Sequence, residues 1–316
     1  MGSNAIGWSA FCMALLCGAT FTPFAKALGT SLKPLSLLFI SEALTLAFVS
    51  LSFGLVPMLR ALFSRSRREM AALAAMGLCG GVVGPYLWFL GLEYTSAVNA
   101  AFFGKADLVF LLLLGSLFVG ERVRHHQLLA SGVILFGLIV IALRGFSDGI
   151  HLQTGDGLIV ASVFFYSLSS AIIRKELQTL PPQITVMGRS FVALTTFFLL
   201  SPFVPQSFAA EFAAFPQELV LLLVGFAFVS RFLNAFLFYE ALERLPLTVI
   251  TPVGTFDVLL TSIVAYALLG EPLEWHHALG GLFIIGGNLM LQVIGVHKDE
   301  STEEQHAVER LAHRGT

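Results

Sequence analysis

The chain has 316 residues, of which 56% are hydrophobic and only 12% are charged, and its mean hydropathy is +0.84. A soluble domain carries about a quarter charged residues, so this composition excludes a water-soluble globular protein and predicts an integral membrane protein. The net charge of −2 and the lack of a basic arm in the sequence give no sign of a nucleic-acid partner.

Transmembrane helices are the elements that the sequence predicts most directly. A hydrocarbon core of about 30 Å requires about 20 apolar residues per helix. Ten segments meet this requirement, and we predict a membrane-spanning helix for each of them: residues 8–28, 33–56, 70–91, 96–119, 126–143, 155–173, 184–201, 216–239, 246–269 and 275–296. The last residues, 297–316, are polar and are predicted to form a tail outside the membrane.

The distribution of basic residues predicts the orientation of these spans. With the N-terminus in the cytoplasm, the loops and tail on the cytoplasmic side carry twelve Lys and Arg residues, whereas the opposite loops carry three, Lys26, Lys33 and Arg144. Cytoplasmic loops are normally the ones enriched in Lys and Arg. We therefore expect both termini in the cytoplasm and the chain in the inner or plasma membrane of the cell.

The second half of the sequence repeats part of the first half at an offset of 150 residues, without a gap. Ten positions are identical between residues 91–140 and 241–290, and the polar ones are Glu93, Asp107, Glu121 and His126, matched by Glu243, Asp257, Glu271 and His276. Each copy contains five predicted spans, an odd number, so the second copy enters the membrane from the opposite side. Inverted repeats are a common plan for secondary transporters, with the substrate site between the halves near the membrane midplane.

Charged residues inside the predicted spans are candidates for function, because burying a charge in lipid costs several kcal/mol. Asp107 and Asp257 occupy equivalent positions near the middle of spans 4 and 9. They could take up protons or bind a cationic group, or they could accept hydrogen bonds that only hold the helices together. Lys105 lies two residues before Asp107 on a different helical face, so we expect Glu42, Asp257 or a ligand as its partner, unless it is neutral and carries protons.

Span 8 places another cation, Arg231, on one helical face with Asn234, and the equivalent face of span 3 carries Trp88. Arginine keeps its charge. Arg231 should therefore contact a carboxylate or phosphate group of a substrate, or pair with Asp107, Asp257 or Glu240.

Polar residues near the span ends are expected to have other roles. Arg189 lies about five residues into span 7, from where its side chain can reach the lipid headgroups. Glu121 and Glu271 end spans 4 and 9 and are expected to cap or brace helix ends. The adjacent histidines at 125–126 and 276–277 do not share a helical face, so we expect no metal site.

Enzyme motifs are missing from the sequence, which contains no H-E-x-x-H, no G-x-S-x-G and no Walker A sequence. No polar stretch is long enough for a nucleotide-binding domain, so transport would have to use a gradient. We expect no enzyme and no cofactor. The expected partners are a small-molecule substrate, membrane lipids and, as the candidate coupling ion, protons.

Two matched motifs carry a family resemblance. Leu269–Leu273 reads Leu-Gly-Glu-Pro-Leu, and Val119–Val123 reads Val-Gly-Glu-Arg-Val at the equivalent place. With Tyr239–Leu242, Leu247 and Pro252, the chain resembles the EamA-like family of the drug/metabolite transporter superfamily. The resemblance covers about residues 5–296. It implies an all-α polytopic membrane protein with ten transmembrane helices. These helices would form two inverted five-helix EamA-like repeats, residues 1–145 and 150–296, followed by a polar cytoplasmic tail at 297–316.

The resemblance also implies a function. Members of this family are secondary transporters, often exporters of small metabolites, amino acids or drugs, with a central cavity lined by spans 1, 3, 4, 6, 8 and 9. Six residues of this chain would then lie on the substrate and proton pathway: Trp88, Lys105, Asp107, Arg231, Asn234 and Asp257. This chain departs from the family pattern at Phe102, where proline is expected, and at Lys105, whose counterpart in the second half is Thr255.

Together with the buried charges of both signs, these features predict a proton-coupled, alternating-access exporter of a small polar or zwitterionic substrate, such as an amino acid. Lys105 has an uncharged counterpart, Thr255, in the second half, so we expect this position to determine substrate selectivity. An uncoupled facilitator or channel and a non-transporting membrane scaffold are the alternatives.

Overall fold

The computed structural model of this chain describes residues 3–119, 123–143, 153–178, 180–203, 208–245 and 253–291. Helices joined by short connections make up these residues, and no β-strand occurs among them. Eight helices are long and apolar enough to cross a membrane: α1 (Ala5–Leu28), α2 (Pro34–Phe53), α3 (Arg67–Tyr94), α4 (Ala97–Phe118), α5 (His125–Ala142), α6 (Thr154–Glu176), α7 (Gln183–Phe203) and α8 (Gln217–Phe238). Other described helices are α9 (Asp257–Leu269), α10 (residues 275–291) and two short ones, Leu55–Phe63 between α2 and α3 and Phe208–Ala213 between α7 and α8.

These helices confirm the prediction of an all-helical, polytopic membrane protein. Helices α1 to α8 coincide within a few residues with the first eight predicted spans. The predicted spans 246–269 and 275–296 extend beyond the described residues, and the turn at Glu121 and the tail at 297–316 lie outside them. The count of ten spans and the inverted repeat therefore stay predictions.

The outside of the bundle carries large apolar side chains. Leu51, Leu117, Phe203 and Leu221 are each more than three-quarters exposed. Large apolar side chains that are this exposed, in this number, are unusual on a soluble monomer. In a bilayer the same side chains face the lipid acyl chains.

The helices begin where the sequence supplies a cap. The Ser66 hydroxyl accepts a hydrogen bond from Glu69 N at 3.3 Å, and the Glu69 carboxylate accepts one from Ser66 N at 2.9 Å, so a capping box fixes the start of α3. At the start of α4, the Ser96 hydroxyl accepts a hydrogen bond from Asn99 N at 2.9 Å. Pro34 opens α2, where its missing N–H would have had no partner within the helix.

Three membrane helices change their winding near their middle. α3 contains a π-helical stretch at Leu78–Val83 and α8 contains one at Phe226–Leu233, and these stretches overlap when the 150-residue offset is applied. α4 tightens to a 3₁₀ turn at Gly104–Ala106. Irregular turns inside helices are common at functional sites. Each of the three contributes residues to the cavity described below.

The helix contacts show which membrane helices are neighbours in the bundle. α3 packs along α6, and α1 packs against Asn234–Arg244, a helical segment that begins within α8 and continues beyond it. α4 contacts α6 and α9, and α9 also contacts α1. α2 packs against α7 and α8.

α5 and α10 approach each other closely at glycines. A Cβ atom added to Gly137 would lie 2.6 Å from the carbonyl oxygen of Gly280, and one added to Gly287 would lie 2.7 Å from Ile134 Cγ1. In lipid no hydrophobic force drives helices together, so close backbone packing at small residues supplies much of their association. The α5–α10 contact therefore requires glycine on both helices.

Gly137→Ala is expected to lower the free energy of unfolding by about 1–3 kcal/mol, because the new methyl group overpacks the α5–α10 contact. Gly132→Ala is the matched control in the same helix, since a Cβ atom at Gly132 meets nothing within 4 Å. Alanine is the better helix former, so this control should be neutral or slightly stabilising. Thermal unfolding of both variants in one detergent measures the difference, and equal midpoints would contradict the packing account.

Candidate functional site

A cavity of about 410 Å³ lies in the middle of the helix bundle. Residues of α1, α3, α4, α6, α7, α8 and α9 line it. All six residues predicted for the substrate and proton pathway lie on its walls: Trp88, Lys105, Asp107, Arg231, Asn234 and Asp257. Helices that are distant in the sequence thus bring these side chains into one space, and α7 joins the expected six helices through Arg189.

One group of charges lies where α4 meets α9. The Lys105 ammonium forms an ion pair with the Asp257 carboxylate, and the two side chains are 16% and 38% exposed. Among the partners considered for Lys105, the structure therefore selects Asp257 rather than Glu42. Asp107 lines the same cavity, and its Oδ1 atom is buried without a hydrogen-bond partner among the described residues. This cluster holds one cationic and two acidic side chains.

The indole of Trp88 forms part of the wall beside this cluster. A Cβ atom added to Gly104 would lie 3.1 Å from Trp88 Cη2, so glycine at this position makes room for the indole. Trp88 contacts Tyr166 edge-on, with ring centroids 6.4 Å apart. Its Nε1 atom is buried, and no described residue accepts a hydrogen bond from it. The cavity wall therefore offers an unused donor.

A second group of charges joins α2, α7 and α8. Arg231 donates hydrogen bonds from Nη2 to the Glu42 carboxylate and from Nη1 to Ser41 Oγ, the latter at 2.9 Å. The Ser190 hydroxyl donates to the other oxygen of Glu42 at 2.6 Å. The Glu42 side chain is fully buried and that of Arg231 is 5% exposed. A buried carboxylate is tolerated here because it has an ion-pair partner and hydrogen bonds on both oxygens.

The partners predicted for Arg231 within the chain, Asp107, Asp257 and Glu240, are wrong. Glu240 pairs instead with Arg244 in the next helical turn, with 2.5 Å between Arg244 Nη2 and Glu240 Oε1. The signal that identifies Glu42 was present in the sequence, since it is an acid deep within α2. The spacing of residues along the chain gives no information that α2 packs against α8. The sequence therefore indicated Glu42 as a partner for Lys105 but not for Arg231.

Arg189 is the site residue that the sequence placed wrongly. It was predicted to extend to the lipid headgroups, but its side chain lines the cavity, and its Nε atom lies 4.0 Å from Glu42 Oε1. Gly81 makes this position accessible, because a Cβ atom there would lie 2.9 Å from Arg189 Cγ. Attraction to a buried carboxylate in a medium of low dielectric constant outweighs the gain from reaching the membrane surface. The buried Nε atom has no hydrogen-bond partner in the described part of the chain.

Asn234 lines the cavity and also connects two helices. Its Nδ2 atom donates a hydrogen bond to the carbonyl oxygen of Ala14 at 2.7 Å. Gly18 leaves the space for this amide, since a Cβ atom there would lie 2.8 Å from Asn234 Nδ2. Nearby, the hydroxyl groups of Thr20 and Ser230 share a hydrogen bond of 2.6 Å. The amide therefore holds α8 to α1 as well as facing the cavity.

The two clusters are unbalanced in opposite senses. Glu42 faces two guanidinium groups, those of Arg231 and Arg189, whereas Lys105 faces two carboxyl groups, those of Asp107 and Asp257. With all these groups ionised, one cluster has a formal charge of +1 and the other of −1. The cavity as a whole is then neutral but has a positive and a negative pole.

Glu271, two residues after the end of α9, was expected to cap the next helix or brace the turn, but it caps a different helix. Its Oε2 atom accepts a hydrogen bond from Val98 N at 3.0 Å, so it caps the start of α4 rather than that of α10, the next helix in the chain. His277 Nε2 lies 2.7 Å from Asn99 Oδ1 in the same region. These contacts tie the end of α9 to the start of α4, away from the charges of the cavity.

Glu42→Gln is expected to lower the free energy of unfolding by about 3–5 kcal/mol, because the variant leaves Arg231 buried without its counter-ion. Glu176→Gln is the matched control. It breaks only the exposed ion pair with Arg68, so the loss should be much smaller, because solvent screens exposed charges. Denaturant or thermal unfolding in detergent micelles compares the two, and similarly small losses would contradict the buried-charge account.

Comparison with known proteins gives two kinds of match. The model of the EamA-like transporter family matches the chain over residues 5–143 and again over residues 153–292. A solved crystal structure shares the fold with a TM-score of 0.57, covering 92% of this chain and 96% of that chain at 14% sequence identity. At this level of identity the structural match concerns the fold alone.

Two similar proteins are named as uncharacterized transporters. An uncharacterized transporter of Methanothermobacter thermautotrophicus is 26% identical over 229 residues, which are 71% of this chain and 65% of that protein. An uncharacterized transporter of Archaeoglobus fulgidus is 28% identical over 231 residues, which are 72% of this chain and 78% of that protein. The match thus spans just under two thirds of the length of the first relative. Because the family model covers most of this chain, the chain belongs to the EamA-like transporter family.

Proposed function

We propose that this protein is a proton-coupled secondary transporter that exports a small substrate carrying both a positive and a negative charge, such as an amino acid. The observation that carries the proposal is the pair of oppositely unbalanced charge clusters on the wall of one central cavity. A substrate with an anionic and a cationic group compensates both clusters at once. A bulky lipophilic substrate compensates neither.

The anionic group of the substrate is assigned to Arg189. Arg231 is already occupied by Glu42 and Ser41, whereas Arg189 lies 4.0 Å from Glu42 and lines the cavity. A guanidinium group recognises a carboxylate through two parallel hydrogen bonds. The cationic group of the substrate is assigned to Asp107, whose partner Lys105 already pairs with Asp257. The indole N–H of Trp88 and the amide of Asn234 are additional polar groups for orientation.

The size of the cavity agrees with a substrate of this class. Sites for small molecules usually have volumes of about 300–1,000 Å³ and combine apolar walls with a few polar groups that fix orientation. The cavity of about 410 Å³ lies near the lower end of this range. Phe21, Val163 and Val258 supply apolar wall between the polar residues. An amino acid or a similarly small metabolite fits these dimensions.

Asp107 also provides a route for coupling to protons. A single carboxylate cannot hold a proton and an ammonium group at the same time, so proton and substrate compete for it. On the side of the membrane where protons are abundant, protonation of Asp107 releases the substrate. On the other side the proton leaves and a new substrate binds, and this exchange drives export against a gradient.

Alternating access is proposed to occur between two inverted halves, residues 1–145 and 150–296, with both termini in the cytoplasm. Helix contacts in one half have counterparts at positions shifted by 150 residues, and this correspondence supports the plan. α3 packs along α6, as α8 packs along α1, and the contact of Gly137 with Ile284 has its counterpart in the contact of Gly287 with Ile134. The two matches of the family model, 5–143 and 153–292, agree with the same division. The excess of Lys and Arg on one side supports the orientation.

Ligand stabilisation tests the substrate class. L-Amino acids should raise the unfolding temperature of the purified protein, whereas amino-acid amides, which lack the carboxylate, and simple carboxylic acids, which lack the amine, should do so less. Arg189→Gln should remove the advantage of the amino acids over their amides. Arg60→Gln, at an exposed position on the helix Leu55–Phe63, is the control that should retain it.

Two results would overturn this assignment. One is that no zwitterion in the panel stabilises the unaltered protein. The other is that Arg189→Gln discriminates between amino acids and amides as well as the unaltered protein does.

Proton coupling is tested with Asp107→Asn in proteoliposomes that carry an imposed pH gradient. The variant should lose accumulation of the stabilising ligand by roughly tenfold or more, because its side chain no longer exchanges a proton for a cation. At a ligand concentration raised to offset the weaker binding that loss of the carboxylate causes, the variant should still exchange labelled for unlabelled ligand, and this separates loss of coupling from loss of folding. Accumulation at the unaltered rate would refute the role of Asp107. Flux without any pH dependence in the unaltered protein would indicate a facilitator, and no flux would indicate a scaffold.

A further inference from the structure

An exposed ion pair joins α3 to α6 at the end where α3 begins and α6 ends. Arg68 donates from Nε and Nη2 to the two carboxylate oxygens of Glu176, at 2.6 and 2.9 Å. The contact is bidentate, so its geometry is specific, and solvent screens its charges because the Arg68 side chain is exposed. In the proposed orientation this end of both helices faces the cytoplasm.

The Arg68–Glu176 pair completes an interface that runs along both helices. The Ser169 hydroxyl donates to the carbonyl oxygen of Met76 at 3.1 Å, and the Ser162 hydroxyl donates to that of Gly84 at 2.6 Å. Farther along, a Cβ atom added to Gly91 would lie 3.1 Å from the carbonyl oxygen of Gly155. α3 and α6 are therefore in contact from the cytoplasmic end to the opposite end.

The 150-residue offset maps this ion pair onto two other charged residues. Arg68 corresponds to Glu218, at the start of α8, and Glu176 corresponds to Lys26, near the end of α1. Both charges are reversed in sign, so the second pair is as complementary as the first. In the proposed orientation Lys26 and Glu218 belong to the outer ends of α1 and α8.

The second pair is not formed in this structure. Lys26 Nζ donates to the carbonyl oxygens of Leu92 and Thr95, at 2.5 and 2.6 Å, and so caps the end of α3. Glu218 has no ion-pair or hydrogen-bond partner in the part of the chain that the structure describes. Among the described residues, the hydrogen bonds between α1 and α8 end at Thr20 and Ser230. The α1–α8 interface therefore lacks the terminal ion pair that the α3–α6 interface has.

We propose that Arg68–Glu176 and Lys26–Glu218 are alternating closure pairs, and that one forms when the other breaks. In the observed conformation the cytoplasmic pair is closed and Lys26 is held aside by Leu92 and Thr95. When the halves exchange conformations, Arg68 and Glu176 separate. Lys26 then breaks its hydrogen bonds to these carbonyl groups and forms an ion pair with Glu218. The inference rests on the inverted repeat of the proposed function and goes beyond it by naming the residues that close each end.

An exposed ion pair suits this role because it is weak. Such pairs contribute little to stability, since solvent screens the charges and two long side chains must be ordered. A transporter needs two conformations of similar free energy, which a strong pair at one end alone would prevent. With one weak ion pair at each end, each conformation has one pair formed and the other broken, so the two conformations keep similar free energies.

Cysteine crosslinking tests the exchange without requiring a known substrate. Lys26→Cys and Glu218→Cys are introduced together into a chain whose native cysteines, Cys12, Cys17 and Cys79, are replaced by alanine. The purified protein in liposomes is treated with a short thiol crosslinker. Adding Arg68→Glu, which breaks the cytoplasmic pair, should raise the crosslinked fraction roughly two- to fivefold, the range expected for loss of one exposed ion pair. The charge swap Arg68→Glu with Glu176→Arg should return it to the starting level.

Arg67→Glu is the matched control, because Arg67 is the exposed neighbour of Arg68 and makes no ion pair within the described residues. It should leave crosslinking unchanged. The inference is overturned if Arg67→Glu and Arg68→Glu act alike, if the charge swap does not restore the starting level, or if residues 26 and 218 never crosslink. Crosslinking that follows the expected pattern in a protein without proton-driven transport would refute the proposed coupling and leave the closure pairs standing.

Discussion

A charge that is removed from water must be compensated inside the protein, and the clearest case in this chain is Glu42. Its fully buried carboxylate receives hydrogen bonds from Arg231 and Ser190 and attracts Arg189. These contacts hold α2, α7 and α8 together around one group. In lipid no bulk solvent can stabilise that group, so the three helices must keep their arrangement for as long as it is ionised. The position of both arginines at the cavity follows from this requirement.

The matched halves show how one backbone plan can produce an asymmetric site. Both halves have a π-helical stretch at the same place, in α3 and in α8. The side chains there differ, since Arg231 in the second half corresponds to Gly81 in the first. The space at Gly81 is occupied by the stem of Arg189, which brings a second guanidinium group to the cavity. Lys105, whose counterpart is Thr255, creates the opposite asymmetry at the other cluster.

Hydropathy predicted the helices well because a membrane requires the same length and apolar composition of every span. Depth in the span identified the four charged residues predicted for the cavity, since charges near the midplane can only face the interior of the bundle. Asp257 was one of the partners that the sequence left open for Lys105. The partners of Arg231 and the position of Arg189 could not be predicted in this way. They depend on which helices are neighbours in space, and the spacing of residues along the chain carries no information about that.

The central claim is that the cavity exchanges one proton for the cationic group of a dipolar substrate at Asp107. Calorimetric titration of the purified protein with a zwitterionic ligand, in buffers of different ionisation enthalpy, counts the protons that are released on binding. At a pH where Asp107 is protonated in the free protein, the account predicts release of about one proton per bound ligand, and none in Asp107→Asn. Binding without proton release in the unaltered protein, or equal release in the variant, would contradict it.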